Sequence, residues 1–200
     1  VKSEQSAIWK HIKESKPDFM MLLGDNIYLP NNTIDEQALR GLYEARFKSD
    51  YALELMKEVP VLAIWDDHDF DLNNSDSTYT RHINARPFFK SFWNNPSPPK
   101  NLPESSAFRL DLGKVLLLAT DNRTYRLNAD KHQIPQVFGE KQIVWLENEL
   151  RASRHEVIIV AIGSQFLSHN PHPESFSDYE RERSRILEAI DASRSRIIIL

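Results

Sequence analysis

The chain has 200 residues, 40% of them apolar and 27% charged, which fits a folded domain with a continuous core and excludes a disordered or fibrous chain. Its 25 basic and 29 acidic residues leave a formal charge of −4, which gives no support to nucleic acid or an anionic membrane as a partner. With no cysteine, a disulfide framework, a thiolate zinc site and a cysteine nucleophile are all excluded within these residues.

Read from the start, Ile8, Trp9 and Ile12 predict a short amphipathic helix over 6–15. The first residues, mixed in charge and polarity, do not read as a signal peptide, which a mature or excised fragment would also lack. Phe19-Met20-Met21-Leu22-Leu23 predicts a buried strand halted by Gly24-Asp25-Asn26, so Asp25 falls at a strand end. Thr33 and Glu36 have capping-box spacing before a helix expected to run to about residue 48, with Leu39, Leu42, Tyr43 and Phe47 inward. A second helix is expected over 50–57. The strand at 59–64 then leads straight into Trp65-Asp66-Asp67-His68, with Pro60 near its beginning.

Residues 69–80 predict a loop and 81–93 a helix with Phe88, Phe89 and Phe92 on its apolar side. The Pro96-Ser97-Pro98-Pro99 break is short enough to be a surface loop. Strands are expected at 108–110 and 115–119 on either side of Gly113, the second ending at Asp121. A helix over 140–150, a strand over 157–162, a helix over 178–192 and a strand over 196–200 complete the chain. Strands ending in polar loops and separated by helices define an α/β fold, without repeats or low-complexity tracts. The apolar runs are far too short to span a bilayer.

Chemistry concentrates at two of these strand ends. Asp25 and the Asp66-Asp67-His68-Asp69 run offer hard oxygen donors and an imidazole, the donor set of a divalent cation able to draw in a phosphate. Plainer roles stand beside this one: Asp25 as a turn residue, Asp66 and Asp67 as a solvated loop or helix cap, and His68 as a structural histidine.

Five segments taken together resemble the PhoD-like alkaline phosphatase family, a branch of the calcineurin-like metallophosphoesterases. They are Gly24-Asp25-Asn26-Ile27-Tyr28, Trp65-Asp66-Asp67-His68-Asp69-Phe70, Asp121-Asn122-Arg123-Thr124-Tyr125-Arg126, Gly139-Glu140-Lys141-Gln142-Ile143-Val144-Trp145-Leu146 and Tyr179-Glu180-Arg181-Glu182-Arg183. The resemblance implies a four-layer α/β/β/α sandwich with mixed sheets. It makes residues 1–200 the central portion of a metallophosphoesterase domain, incomplete at both ends. A strand ending in Ser-Cys would precede Val1, and a Ser-Gly-Asp-x-His motif would follow Leu200.

The implied activity is metal-dependent hydrolysis of phosphate monoesters or diesters by a metal-activated hydroxide. Two or more ions are implied, with iron and calcium suggested and other divalent metals allowed. Asp25 would bridge two ions, Tyr28 would ligate one through its phenolate, and Asp67 would hold one. His68 would contact phosphate or assist the leaving group. Asp66 is read as a further ligand or a carboxylate behind the ligands, Asn84 as a ligand, and Arg123 as a fork for phosphate oxygens.

Asp69 is a candidate to orient His68, Arg126 to bind phosphate or brace Asp121, and Gln165 to line the site floor. His169 and His172 read as variable-loop residues. The substrate would be a small phosphate ester or a phosphodiester, with no specific nucleic-acid partner and an extracellular or periplasmic setting suggested by the resemblance. Two departures stand out: the family's loop carries Gly and an Asn-Asp pair where this chain has Asp71-Leu72-Asn73-Asn74, and the last strand stops before the motif in which the resemblance places further ligands, which lie outside these residues or are lacking. A catalytically inactive metal-binding or structural domain and a two-metal nuclease are the competing functions.

Overall fold

A computed structural model describes residues 2–170 and 175–200, with side chains from Ala7 onward. The first half holds helices α1 (Lys2–Glu14), α2 (Glu36–Arg46), α3 (Asp50–Glu58) and α5 (Ala85–Phe92) with strands β1 (Met20–Leu23) and β2 (Val61–Ile64). A single helical turn, α4 (Asp67–Phe70), follows β2 directly. The second half holds β3 (Phe108–Leu112), β4 (Val115–Ala119), α6 (Gly139–Ala152), β5 (Val157–Ala161), α7 (Glu180–Asp191) and β6 (Arg196–Ile199).

β1 and β2 form a parallel pair, while the other sheet runs β3-β4-β5-β6 with only the β3–β4 hairpin antiparallel. Each parallel step needs a helical crossover, which α6 and α7 provide for β4–β5 and β5–β6.

Strand alternation sorts the core into three layers of side chains. Leu116, Leu118, Ile158 and Val160 face Ile143, Leu146 and Ile186 on α6 and α7. Leu117, Ala119 and Ala161 point the other way and meet Leu62 and Ile64, so the two sheets pack face to face. Met20 and Ala63 face outward against Trp9, Tyr43, Leu55, Phe88 and Trp93 from the first helical layer. The result is helix, sheet, sheet, helix: the four-layer α/β/β/α arrangement, with mixed strand directions in the larger sheet.

Most boundaries fall within a few residues of the sequence reading, and the shifts have local causes. α2 is capped by Asp35, whose carboxylate accepts the Ala38 amide at 2.8 Å, instead of by Thr33. The segment expected as loop from Asp69 starts as the turn α4. The helix expected from Arg81 begins only at Ala85, because the His82 amide is drawn to the Asp71 carboxylate at 2.9 Å. Residues 176–178 form a separate 3-10 turn before α7. Among the described residues no helix is long and apolar enough to cross a membrane.

Candidate metal centre

Parallel register brings the two acidic motifs together. Leu23 pairs with Ile64, so the residues leaving β1 lie beside those leaving β2. Gly24 adopts φ 102°, and a Cβ placed there would lie 2.6 Å from the Asp66 Cβ. Only glycine permits this approach. Asp25 follows in the left-handed region, φ 50°, which Asp tolerates better than most residues. The chain thus reverses sharply and turns the Asp25 carboxylate toward α4.

Asp25, Asp67 and His68 each offer a ligand atom, and these atoms lie within 4.8 Å of one another. The Asp25 Oδ1 is shielded from solvent and has no hydrogen-bond partner, while its Oδ2 accepts the Tyr28 hydroxyl at 3.1 Å. Burial, then the neighbouring Asp67 carboxylate, hold the Asp25 carboxyl above its ordinary range, opposed by His68 and by the Tyr28 hydroxyl. Like charges crowded around an unpartnered buried oxygen are the donor arrangement that a cation relieves. The exposed Tyr28 ring stands 4.3 Å from the His68 ring, tilted across it.

Asp67 is 4% exposed, and both its oxygens already accept backbone amides. Oδ1 takes that of His68 at 2.8 Å, and Oδ2 takes that of Asn74 at 2.5 Å. Each carboxylate oxygen keeps further lone pairs for a cation.

Asp69 does not orient His68. Its fully buried carboxylate instead ties the two motifs, accepting the amides of Asn26 at 3.2 Å, Ile27 at 3.2 Å and Asp66 at 3.1 Å. The Asn26 side chain at 3.1 Å and the Tyr43 hydroxyl at 3.3 Å complete this set. Burial pushes the Asp69 carboxyl up to about 7, against the pull of these donors.

Asp66 lies outside the trio. Its Oδ1 accepts the Asn122 amide at 2.6 Å and Arg123 Nε at 2.7 Å, and Arg123 Nη2 closes the pair. Arg123 is fully buried and also donates to the Ser75 carbonyl at 3.0 Å, so its fork binds protein oxygens. Arg126, equally buried, donates to Asn128 at 2.7 Å and lies 4.9 Å over the Tyr179 ring.

Asn84 is exposed just before α5, beside Leu29, Thr33 and His82 and outside the trio. Gln165 and His169 are exposed as well, and His172 falls outside the described residues.

Sequence reasoning gave no role to Asn122, whose amide joins Asp66 to Ser164. Nor did it give one to Asn128. Asn122 follows Asp121 within the Asp121-Asn122-Arg123-Thr124-Tyr125-Arg126 segment, which is the sequence signal for it. Asn128 has no such motif and becomes visible only through its contacts.

Two packed sheets with carboxylates gathered at the ends of a parallel strand pair define a calcineurin-like α/β protein. The sequence matches the PhoD-like phosphatase family over residues 2–200, and the chain belongs to that family. A solved structure of PhoD superposes with a TM-score of 0.79 at 19% identity, covering 98% of this chain and 47% of that one. The chain therefore spans less than half the length of that relative. No curated protein matches the sequence.

Proposed function

We propose that this chain is part of a metallophosphoesterase domain that hydrolyses phosphate monoesters or diesters with the help of bound cations. The observation carrying this reading is the convergence of Asp25, Asp67 and His68 around a buried, unpartnered Asp25 oxygen. Family membership supports it.

The carboxylate oxygens of Asp25 and Asp67 fit a hard cation such as Ca²⁺, Mn²⁺ or an iron ion, with the His68 imidazole beside them free for the substrate. When bound, such an ion supplies Lewis-acid polarisation of the phosphoryl group and lowers the pKa of water. Asp25 and Asp67 hold it. Without an ion Tyr28 donates its hydroxyl to Asp25 at 3.1 Å; with an iron ion bound, the same oxygen would give up that proton and serve as a phenolate ligand. His68, within the same cluster, serves the leaving-group oxygen as proton donor. Asp66 and Arg123 support the centre from behind, with the guanidinium offsetting negative charge beside the paired carboxylates. The substrate is a small phosphate ester or a phosphodiester, and the formal charge of −4 gives no support to nucleic acid.

Chelation tests the proposal. Protein stripped of metal is expected to lose hydrolysis of p-nitrophenyl phosphate and bis(p-nitrophenyl) phosphate to background, and to regain it on adding Ca²⁺, Mn²⁺ or iron. Hydrolysis indifferent to chelation would contradict metal dependence, and metal uptake without hydrolysis would favour a non-catalytic binding domain.

A further inference from the structure

We propose that Asn128 is a positioning residue for the Asp67 carboxylate, acting through the backbone of Asn74. The inference rests on the metal centre proposed above and assigns a role to a residue 54 positions from Asn74 in sequence.

The loop after α4 makes a turn closed by the Ser75 amide on the Leu72 carbonyl at 2.9 Å. Asn74 occupies its third position with φ 55°, a left-handed conformation that Asn tolerates and β-branched or bulky residues resist. In that conformation the Asn74 N–H reaches Asp67 Oδ2 at 2.5 Å. The carbonyl of Asn74 accepts Asn128 Nδ2 at 2.8 Å, so both peptide groups flanking its Cα are held.

Asn128 itself has one available orientation. Its Oδ1 accepts Arg126 Nε at 2.7 Å, which leaves Nδ2 as the atom facing Asn74. Asn128 is 4% exposed and Arg126 fully buried, so water does not readily replace either partner. The Ser77 amide on the Arg126 carbonyl at 3.0 Å and Arg123 on the Ser75 carbonyl at 3.0 Å fasten the same loop on either side. A hydrogen-bonded line therefore runs from a buried guanidinium through Asn128 and Asn74 to Asp67. It fixes the rotation of the carboxylate and hence which lone pairs face the cation. Groups behind metal ligands act this way, and removing them costs about 10–100-fold in affinity.

Asn128→Asp keeps the shape and the acceptor for Arg126 but turns an oxygen toward the Asn74 carbonyl. Its added negative charge, acting only through space, would tighten cation binding. Positioning predicts the opposite: the Mn²⁺ dissociation constant rises by about 10-fold or more, and the Asn74 amide of the metal-free protein exchanges faster with deuterium. Asn74→Gly should keep the turn and the affinity, whereas Asn74→Ala should lose affinity, so the pair tests the same line if N128D does not fold. Unchanged or tighter Mn²⁺ binding by N128D, or equal affinity in the two Asn74 variants, would overturn the role of Asn128. A parent protein that takes up no Mn²⁺ would overturn the metal centre itself, and the positioning role with it.

Discussion

Asp25→Asn is expected to lower phosphoester hydrolysis by at least about 100-fold, more than the loss typical of residues behind a metal ligand, without weakening the metal-free fold. Both halves of this expectation come from the surroundings of the carboxylate. Its Oδ1 has no hydrogen-bond partner, and its Oδ2 meets only the hydroxyl of the exposed Tyr28, which water can satisfy. Asn keeps the size and the tolerance for the left-handed backbone at φ 50°. It also removes a charge crowded against Asp67, so the metal-free protein should melt at the same temperature or slightly higher. Steady-state hydrolysis and thermal unfolding measured on one preparation separate the two effects. A comparable loss of melting temperature would mark Asp25 as a structural residue instead.

The largest stability effect is expected at Asp121. Its fully buried carboxylate is saturated: Oδ1 accepts Trp65 Nε1 at 2.8 Å, the Arg123 amide at 3.0 Å and the Thr124 amide at 2.9 Å. Oδ2 accepts the Ser105 hydroxyl at 3.0 Å, the Ser106 amide at 2.7 Å and the Thr124 hydroxyl at 2.6 Å. Truncation strands several buried donors, each at a cost of about 1–3 kcal/mol, partly recovered by relaxation. Asp121→Ala should therefore lose about 3–5 kcal/mol, the range found when one partner of a buried charged group is removed. Asp121→Asn should not rescue it, because whichever oxygen becomes the amide nitrogen then faces donors. Guanidinium unfolding of the two variants checks this, and a loss below about 1 kcal/mol in either would contradict the saturated geometry.

The α/β class and the two strand-end motifs were legible because they rest on local signals: short apolar runs, a Gly-Asp stop and the Asp-Asp-His-Asp run. Parallel pairing brings Asp25 beside Asp67 and His68. The division of labour within the second motif was not legible. Adjacent residues on one helical turn point in different directions, so Asp67 reaches the cluster, Asp66 meets Arg123 and Asp69 turns back to Asn26 and Ile27.

Arg123 illustrates the same limit. A guanidinium suits phosphate and carboxylate alike, and only its burial against Asp66 and Ser75 shows which oxygens it holds here. The link from the Asn74 loop to Asn128 spans 54 positions and has no sequence period to betray it. The capping of α2 by Asp35 instead of Thr33 was a choice between neighbouring residues of nearly equal capping strength.

The central claim is that Asp25 and Asp67 together hold a cation. Calorimetric titration of Mn²⁺ into the metal-free protein and into the Asp25→Asn, Asp67→Asn double variant tests it most directly. The parent should take up the ion, and the folded double variant should bind it at least about 100-fold more weakly, beyond the loss typical of a group behind the ligands. Undiminished uptake by the double variant would place any metal site elsewhere and remove the basis for the proposed chemistry.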